Sequence, residues 1–281
     1  MLATVLALLA GIMWGSYDFG NGILSRRTSF WTVVLVVTGT AAVAMLLTVL
    51  LLGRPAPSAT IMVILAAGGV LSATSSFAYF RALTFTKMSV AAPIIAGAAA
   101  VPVLWGLARG EQPHQLQLVG IVATLVGIVV ISLPGPTARD DDMPVTLTGV
   151  LLTVASSVCA GLMVVALDYG AASDPVWAAA GVRWAAAAWA AVCVGAVRPG
   201  LCPKRRLLPL MTLMSLVLVA ANLLFTEATT LADLSIVAVL GWIGPAVTVL
   251  LACLFLHERL RPLQWAAALT VLAGVVLLTV G

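Results

Sequence analysis

Four ionisable side chains lie inside or at the edges of long apolar runs of the sequence: Asp18, Arg81, Arg183 and Glu227. A charged side chain at the centre of a bilayer costs about 2.5–3.5 kcal/mol on insertion scales, so such a residue is by default a candidate for function. A buried carboxyl can take up and release a proton, or it can pair with a cation. These residues therefore suggest a coupling or substrate site within a membrane.

The composition predicts the class of protein. Of 281 residues, 62% are hydrophobic and 9% are charged, and the mean hydropathy is +1.16, whereas soluble proteins carry about 25% charged residues. Apolar runs of about 20 residues match the helix length that crosses a bilayer core of about 30 Å. We predict an all-α polytopic membrane protein embedded in the lipid bilayer. The sequence has no basic helix typical of nucleic-acid binding, and its cysteines lack metal-ligand spacing, so no metal or cofactor is predicted.

Charged residues and glycine–proline clusters divide the chain into ten predicted membrane spans. In order, these are 2–24, 29–52, 60–82, 88–107, 114–133, 146–167, 175–197, 207–230, 234–256 and 262–280. A polar connection, 134–145, lies near the middle of the chain. We therefore predict two five-helix repeats, 1–133 and 146–281, joined by a linker at 134–145.

The two halves resemble each other in sequence. Aligning them pairs Trp31 with Trp177, Glu111 with Glu258 and Gln117 with Gln264. Because each half has an odd number of spans, the second half must enter the membrane from the opposite side, so the repeat is inverted. Inverted repeats are typical of secondary transporters, whose substrate site lies near the midplane between the halves. The pattern predicts transport by alternating access.

Lysine and arginine are unequally distributed between the two ends of the spans. The end that carries the termini holds Arg54 and Arg109. The opposite end, which we call the basic face, holds Arg26, Arg27, Arg81, Lys87, Arg139, Arg198, Lys204, Arg205, Arg206, Arg259 and Arg261. Because basic loops face the cytoplasm, both termini are expected outside. The expected location is an inner or plasma membrane of prokaryotic type.

Four stretches of the sequence resemble the drug/metabolite transporter superfamily, and within it the EamA-type transporters. They are WGSYDF (14–19), YFRALTFTKMSVAAP (79–93), LFTEATTLADLSIVAVLGWIGP (224–245) and FLHERLRPLQWAAALTVLAGVVLL (255–278). The resemblance implies export or exchange of small metabolites, amino acids or drugs without ATP. It also implies a central cavity lined by spans 1, 3, 4, 6, 8 and 9.

Pro93 and Pro245 interrupt the fourth and ninth spans and are predicted hinges. Proline removes an intrahelical hydrogen bond, and the freed carbonyl can bind substrate where it faces a cavity. In the resemblance, Pro245 corresponds to the family's proline in the second repeat, whereas the first repeat has Ala98 at that place. Arg183 corresponds to a basic residue often found in the second span of a repeat, where the first repeat has Val37.

The four charges suggest two ion pairs that gate opposite sides, Asp18 with Arg81 towards the basic face and Glu227 with Arg183 towards the other end. At 1.5 Å per helical residue, Asp18 lies about 12 Å inside the basic boundary, too deep for a short side chain to reach the headgroups. For Arg81 and Glu227 the alternative is that they only extend into the headgroup region. A permanent Asp18–Arg81 bridge that fixes two helices is the alternative for that pair.

Asp18 is the predicted coupling residue, where a proton and a cationic or zwitterionic substrate compete. Aromatic faces bind cations and flat apolar groups, with ordinary packing as the alternative. The aromatic residues predicted to line the site with Asp18 are Trp14, Tyr17, Tyr79, Phe225 and Trp242.

Together these features predict a secondary active transporter, a proton-coupled exporter or exchanger of a small amino-acid-like, amine or cationic compound. The sequence lacks the HExxH, GxSxG and GxxxxGK motifs, so we do not predict an enzyme. The alternatives are a flippase or transporter of lipid-linked or nucleotide sugars and, with less support, a channel or an intramembrane enzyme. The sequence leaves open the substrate, the direction of transport and the oligomeric state.

Overall fold

The chain folds as a bundle of α-helices. The computed structural model describes residues 1–82, 85–86, 91, 94–131, 133, 146–198, 200–201, 204–256 and 262–280. The helices are α1 (Leu2–Arg27), α2 (Phe30–Leu52), α3 (Ala59–Ala82), α4 (Ala100–Ala108), α5 (Gln115–Ile131), α6 (Leu147–Ala171), α7 (Pro175–Val197), α8 (Leu208–Thr229), α9 (Leu234–Gly241), α10 (Gly244–Leu256) and α11 (Pro262–Val280). Short 3-10 turns, Gly97–Ala99 and Arg205–Leu207, precede α4 and α8.

The lengths of the helices suit a bilayer. Within the described residues, eight helical stretches are long and apolar enough to cross a membrane, and Ile94–Ala108 and Gln115–Ile131 are shorter apolar helices. The protein is therefore an all-α polytopic membrane protein with ten transmembrane helices in two inverted five-helix repeats, as the sequence predicts. The predicted linker, 134–145, lies outside the described residues.

Several spans differ from their predicted form; in the fourth, a 3-10 turn at Gly97–Ala99 precedes α4. Helix α1 continues to Arg27 and α6 continues to Ala171, each about one turn beyond its predicted end. The ninth span is divided, because α9 ends at Gly241 and α10 begins at Gly244. The longer α6 brings Asp168 into a helix, and the break in the ninth span leaves Trp242 at the C-cap of α9.

Local signals in the sequence set several helix ends. The Asp174 carboxylate accepts a hydrogen bond from the Trp177 backbone N–H at 2.8 Å, and Pro175 occupies the first position of α7, where proline costs no hydrogen bond. The Thr146 hydroxyl similarly accepts from the Gly149 N–H at 3.1 Å. Helix α2 ends at Gly53, whose φ of 59° lies in the left-handed region that favours glycine.

Equivalent helices of the two repeats make equivalent packing contacts. Helix α1 packs extensively on α8, and its counterpart α6 packs on α3, the counterpart of α8. Helices α2 and α7 pack on each other, as do α5 and α11, so each of these helices contacts its own equivalent. This arrangement is what a two-fold relation between inverted halves requires.

Glycine allows a close contact between the backbones of α5 and α11. A Cβ added at Gly120 would lie 2.9 Å from the Gly274 carbonyl oxygen, so the two backbones meet directly. Small residues have this role in membrane bundles, where close packing rather than the hydrophobic effect holds helices together.

Candidate functional site

Three of the predicted aromatic residues meet in the structure. The ring of Trp14 on α1 lies 5.0 Å from the ring of Phe225 on α8 and 6.5 Å from that of Trp242, measured between centroids. Phe225 is fully buried, at 0% exposure, while Trp14 and Trp242 are half-buried. We call these three residues the aromatic cluster. It joins α1 of the first repeat to two spans of the second.

An amide that the sequence prediction missed orients the cluster. The indole N–H of Trp14 donates to the Asn222 Oδ1 at 3.2 Å. Asn222 is 1% exposed, and its Nδ2 has no hydrogen-bond partner among the described residues. A buried, half-satisfied amide is costly, so this N–H group is available to a polar ligand. Its position three residues before Phe225, on the same helix face, was the available signal.

The break in the ninth span lies beside the aromatic cluster. Pro245 has no N–H, so the carbonyl of Gly241 lacks its usual intrahelical donor. Helix α1 covers that carbonyl, because a Cβ added at Gly11 would lie 2.7 Å from the Gly241 oxygen. The Thr248 hydroxyl then donates to the Gly15 carbonyl at 2.9 Å. The freed carbonyl therefore contacts α1 rather than a cavity, which corrects one expectation for Pro245.

Both predicted hinges stay predictions. The ninth span is interrupted at Trp242 and Ile243, two to three residues before Pro245. Pro93 lies outside the described residues.

Asp18 lies one turn beyond Trp14, on the same side of α1. The residue is exposed, and its charge acts on the hydroxyls of both Tyr17 and Tyr79. Since Tyr79 belongs to α3, the carboxyl faces another helix of the bundle and not the lipid alone. At Gly22, one turn closer to the basic face, an added Cβ would meet no atom within 4 Å. Gly22 therefore borders open space on the basic side of Asp18.

Arg183 lies inside the bundle, at 4% exposure. Its Nη2 donates to the Ser72 hydroxyl on α3 at 3.1 Å, and its Nε has no hydrogen-bond partner among the described residues. The charge of Arg183 also acts on Tyr17. A guanidinium with so few partners at this depth is expensive, which supports a role in binding or gating.

Neither Asp18 with Arg81 nor Glu227 with Arg183 is among the ion pairs of the described residues. Among the described residues two ion pairs occur, Arg54 with Asp174 at 2.8 Å and Arg109 with Asp168 at 3.3 Å. The Arg81 guanidinium lies 5.0 Å above the Phe85 ring. Glu227 is exposed, and its charge acts on Arg54 instead of Arg183. The gating role of these residues stays a prediction, because a gate pair need form in one state only.

The end of the bundle that carries the termini is joined across the two repeats. We call this end the acidic face, defined by Arg54, Arg109, Glu111, Asp168, Asp174, Glu227 and Asp233. Both ion pairs link an arginine of the first repeat to an aspartate of the second. A cavity of about 470 Å³ opens here, lined in part by Arg109, Glu111, Asp168 and Asp233.

Glu111 makes a third connection between the repeats on this face. Its two carboxylate oxygens accept hydrogen bonds from the backbone N–H groups of Leu234 and Ser235, each at 3.0 Å. These are orphan donors at the N-terminus of α9, where a negative charge also interacts favourably with the helix dipole. Sequence reasoning identified Glu111 only as a repeated residue.

Asp233 is close to this carboxylate and feels its charge. Partial burial, and then the negative charge of Glu111, raise the pKa of the Asp233 carboxyl above its ordinary value. Two carboxyls at one helix start therefore favour protonation of Asp233. Within the described part of the chain, no group of three or more His, Cys, Asp or Glu side chains could hold a metal ion.

The fold and these contacts define a class, that of polytopic membrane proteins built from inverted five-helix repeats. The sequence matches the EamA-like transporter family twice, over residues 1–133 and 147–280. The chain belongs to that family and is a membrane transporter of the drug/metabolite transporter type.

Comparison with other proteins supports the fold. A crystal structure of a protein that is 20% identical in sequence matches 99% of this chain and 98% of its own chain, with a TM-score of 0.80. That likeness concerns the fold alone. No curated protein matches the sequence.

Proposed function

We propose that this transporter exchanges a small organic cation or zwitterion, such as an amine or an amino-acid-like compound, for protons. The observation that carries the proposal is the position of Asp18 one helical turn after Trp14 of the aromatic cluster, on the same side of α1. A carboxylate one helical turn from the Trp14 ring offers charge and an aromatic face to the same ligand. Aromatic rings attract a desolvated cation by about 2 kcal/mol.

The polar groups around the cluster suit a ligand that carries a carbonyl or carboxylate oxygen as well as a positive charge. The unpartnered Nδ2 of Asn222 can donate to a carbonyl or carboxylate oxygen. Arg183 carries an unpartnered Nε–H and lies within the same group of helices. A zwitterion would therefore find an anion partner in Asp18 and donors at Asn222 or Arg183, which favours amino-acid-like substrates.

Proton coupling would follow from competition at Asp18. The carboxyl is ionised when it binds a cationic substrate and neutral when it carries a proton. A neutral carboxyl inside the membrane avoids the cost of an unpaired charge, so the substrate-free site favours the protonated form. Entry of a proton as the cation leaves then gives exchange.

Alternating access would use the connections between the repeats. The Arg54–Asp174 and Arg109–Asp168 pairs and the Glu111 cap all join one half to the other at the acidic face. Opening of that face requires these contacts to break. We propose that they form the closed gate of the conformation described here, with Asp18 accessible from the basic face, and that the basic face is cytoplasmic.

The test is proton flux in proteoliposomes that contain a pH-sensitive dye. Wild type and Asp18→Asn are supplied with amines, amino acids and cationic dyes in turn. Asp141→Asn is the matched control, since it removes a carboxylate of the predicted linker, 134–145. Substrate-dependent flux in wild type and the control, with Asp18→Asn at the level of empty liposomes, supports the proposal. Equal flux in all three proteins makes Asp18 a structural residue and refutes the exchange mechanism.

A further inference from the structure

The basic face carries an open cavity that the transport site does not use. Its volume is about 570 Å³, and it is lined by Arg27, Lys204, Arg205, Arg206 and Leu207. Arg27 ends α1 of the first repeat, whereas the other four residues lead into α8 of the second. Four cationic side chains therefore surround one depression at the edge of the membrane.

The backbone holds these cations together. The Lys204 ammonium donates to the Arg27 carbonyl at 2.6 Å, and the Leu207 N–H donates to the Lys204 carbonyl at 2.8 Å. The contact fixes the end of α1 against the turn that starts α8. All four basic residues are exposed, and none of them forms an ion pair within the described part of the chain. Among the described residues, no acidic side chain pairs with these cations and offsets their mutual repulsion.

The start of α8 adds to the positive potential. The first turn of α8 contains no acidic residue, and its N-cap makes no side-chain hydrogen bond. The N-terminus of a helix carries a partial positive charge and unpaired N–H groups. Together with the four cations, it makes an environment that attracts an anion such as a phosphate group.

An apolar stripe runs from this cavity along α8. Leu208, Thr212 and Leu216 follow one another at helical spacing on one side of α8, after Arg205 of the preceding turn. Each of these residues is exposed, Leu208 at 36% and Leu216 at 50%. In a transmembrane helix such a stripe contacts lipid, so a ligand in the cavity has acyl chains of the membrane directly below it.

We propose that Arg27, Lys204, Arg205 and Arg206 bind the phosphate headgroup of an anionic phospholipid, whose acyl chain lies along the exposed side of α8. Clusters of basic residues at the cytoplasmic ends of membrane helices recognise anionic lipids in this way. The apolar stripe favours a phospholipid over free phosphate, because its leucine side chains can pack against acyl chains, which free phosphate lacks. The site also joins α1 to α8, and hence the two repeats.

The experiment measures lipid binding to the detergent-solubilised full chain by native mass spectrometry. Phosphatidylglycerol and phosphatidylcholine with identical chains are titrated separately, with Arg205→Gln and Arg206→Gln as test variants. Arg198→Gln, which removes an exposed charge at the same face outside the cavity, is the control. Each test variant is expected to lose about fivefold in affinity for phosphatidylglycerol, from about 1 kcal/mol per basic residue.

Each outcome decides the proposal. A wild-type preference for phosphatidylglycerol that falls in both test variants and persists in Arg198→Gln supports it. Equal binding of the two lipids, or a preference that survives Arg205→Gln and Arg206→Gln, overturns it. Inorganic phosphate at millimolar concentration is added as a competitor. Full displacement of the lipid by phosphate would assign the cavity to free phosphate and refute the lipid site.

Discussion

Replacing Glu111 with glutamine tests whether this residue holds the acidic face closed. The carboxylate accepts from the N–H groups of Leu234 and Ser235 at 3.0 Å each, across the boundary between the repeats. Glutamine keeps the shape of the side chain but offers one acceptor oxygen and no charge. One of the two bonds is lost and the other becomes a neutral hydrogen bond.

The magnitude follows from known values for helix caps. Loss of an N-cap acceptor costs about 0.5–2 kcal/mol, and hydrogen bonds to charged groups contribute about 1.5–3 kcal/mol. Because glutamine retains one bond and Glu111 is partly exposed, we expect a loss of about 1–2 kcal/mol. The opening equilibrium at the start of α9 should rise by a factor of roughly 5–30.

Hydrogen exchange measures this opening directly. The amides of Leu234 and Ser235 should exchange faster in Glu111→Gln by that factor, while amides in the centre of α7 are unchanged. Glu227→Gln is the control, since it removes an exposed carboxylate of the same face that, among the described residues, accepts no hydrogen bond from the start of α9.

A second variant, Gly106→Ala, perturbs the same contact without changing Glu111. A Cβ at Gly106 would lie 2.6 Å from the Glu111 Cδ, so Gly106→Ala should displace the carboxylate and reproduce the effect. Unchanged exchange at Leu234 and Ser235 in both variants would refute the capping role.

Three further predictions concern the site and its surroundings. Trp14→Phe removes the donor to Asn222 and should cost about 1–3 kcal/mol of stability, measured by thermal unfolding, together with weaker substrate binding. An unchanged melting temperature would show that the hydrogen bond contributes nothing. Gly11→Val should destabilise the fold by about 1–3 kcal/mol, because the new side chain would meet the Gly241 carbonyl. Gly39 has open space around it, so Gly39→Val should leave the stability unchanged. Equal destabilisation by both variants would contradict the packing argument. The pKa of Asp233 is raised in the folded protein. Ionised Asp233 therefore opposes folding at any pH above the ordinary pKa of an aspartate. Asp233→Asn should raise the melting temperature at pH 7 but not at pH 3. A gain that is the same at both pH values would contradict this sign.

The sequence predicts the fold well because long apolar runs have few structural solutions in a bilayer. Every backbone polar group must be satisfied within the segment, so each run becomes a helix. The odd number of spans per repeat then dictates inversion. The repeat also explains why the packing of α1 on α8 recurs as the packing of α6 on α3.

The meeting of Trp14, Phe225 and Trp242 could be expected only in part. The family resemblance places their helices around a cavity, but it does not set which helix face is inward. The structure adds Asn222 and the glycine contact of α1 with the broken ninth span, both of which depend on close approach of distant segments.

The depth of a residue in the membrane does not determine which way its side chain points, as Glu227 and Arg183 show. Counting residues from span ends gives Glu227 and Arg183 compatible heights, yet Glu227 points outwards near Arg54 and Arg183 points inwards to Ser72. The charged contacts that join the repeats at the acidic face involve Arg54, Arg109 and Glu111, which lie in loops or at helix ends. Loop conformation at this face depends on tertiary contacts, so spacing in the sequence carries no signal for it.

The central claim is that a proton and the substrate compete for Asp18. Proton release on substrate binding tests it most directly, in weakly buffered detergent solution with the purified protein and a substrate identified in the liposome screen. Wild type should release protons in proportion to the substrate bound, and Asp18→Asn should release none. Substrate binding to wild type without proton release, or equal release from Asp18→Asn, would contradict the claim.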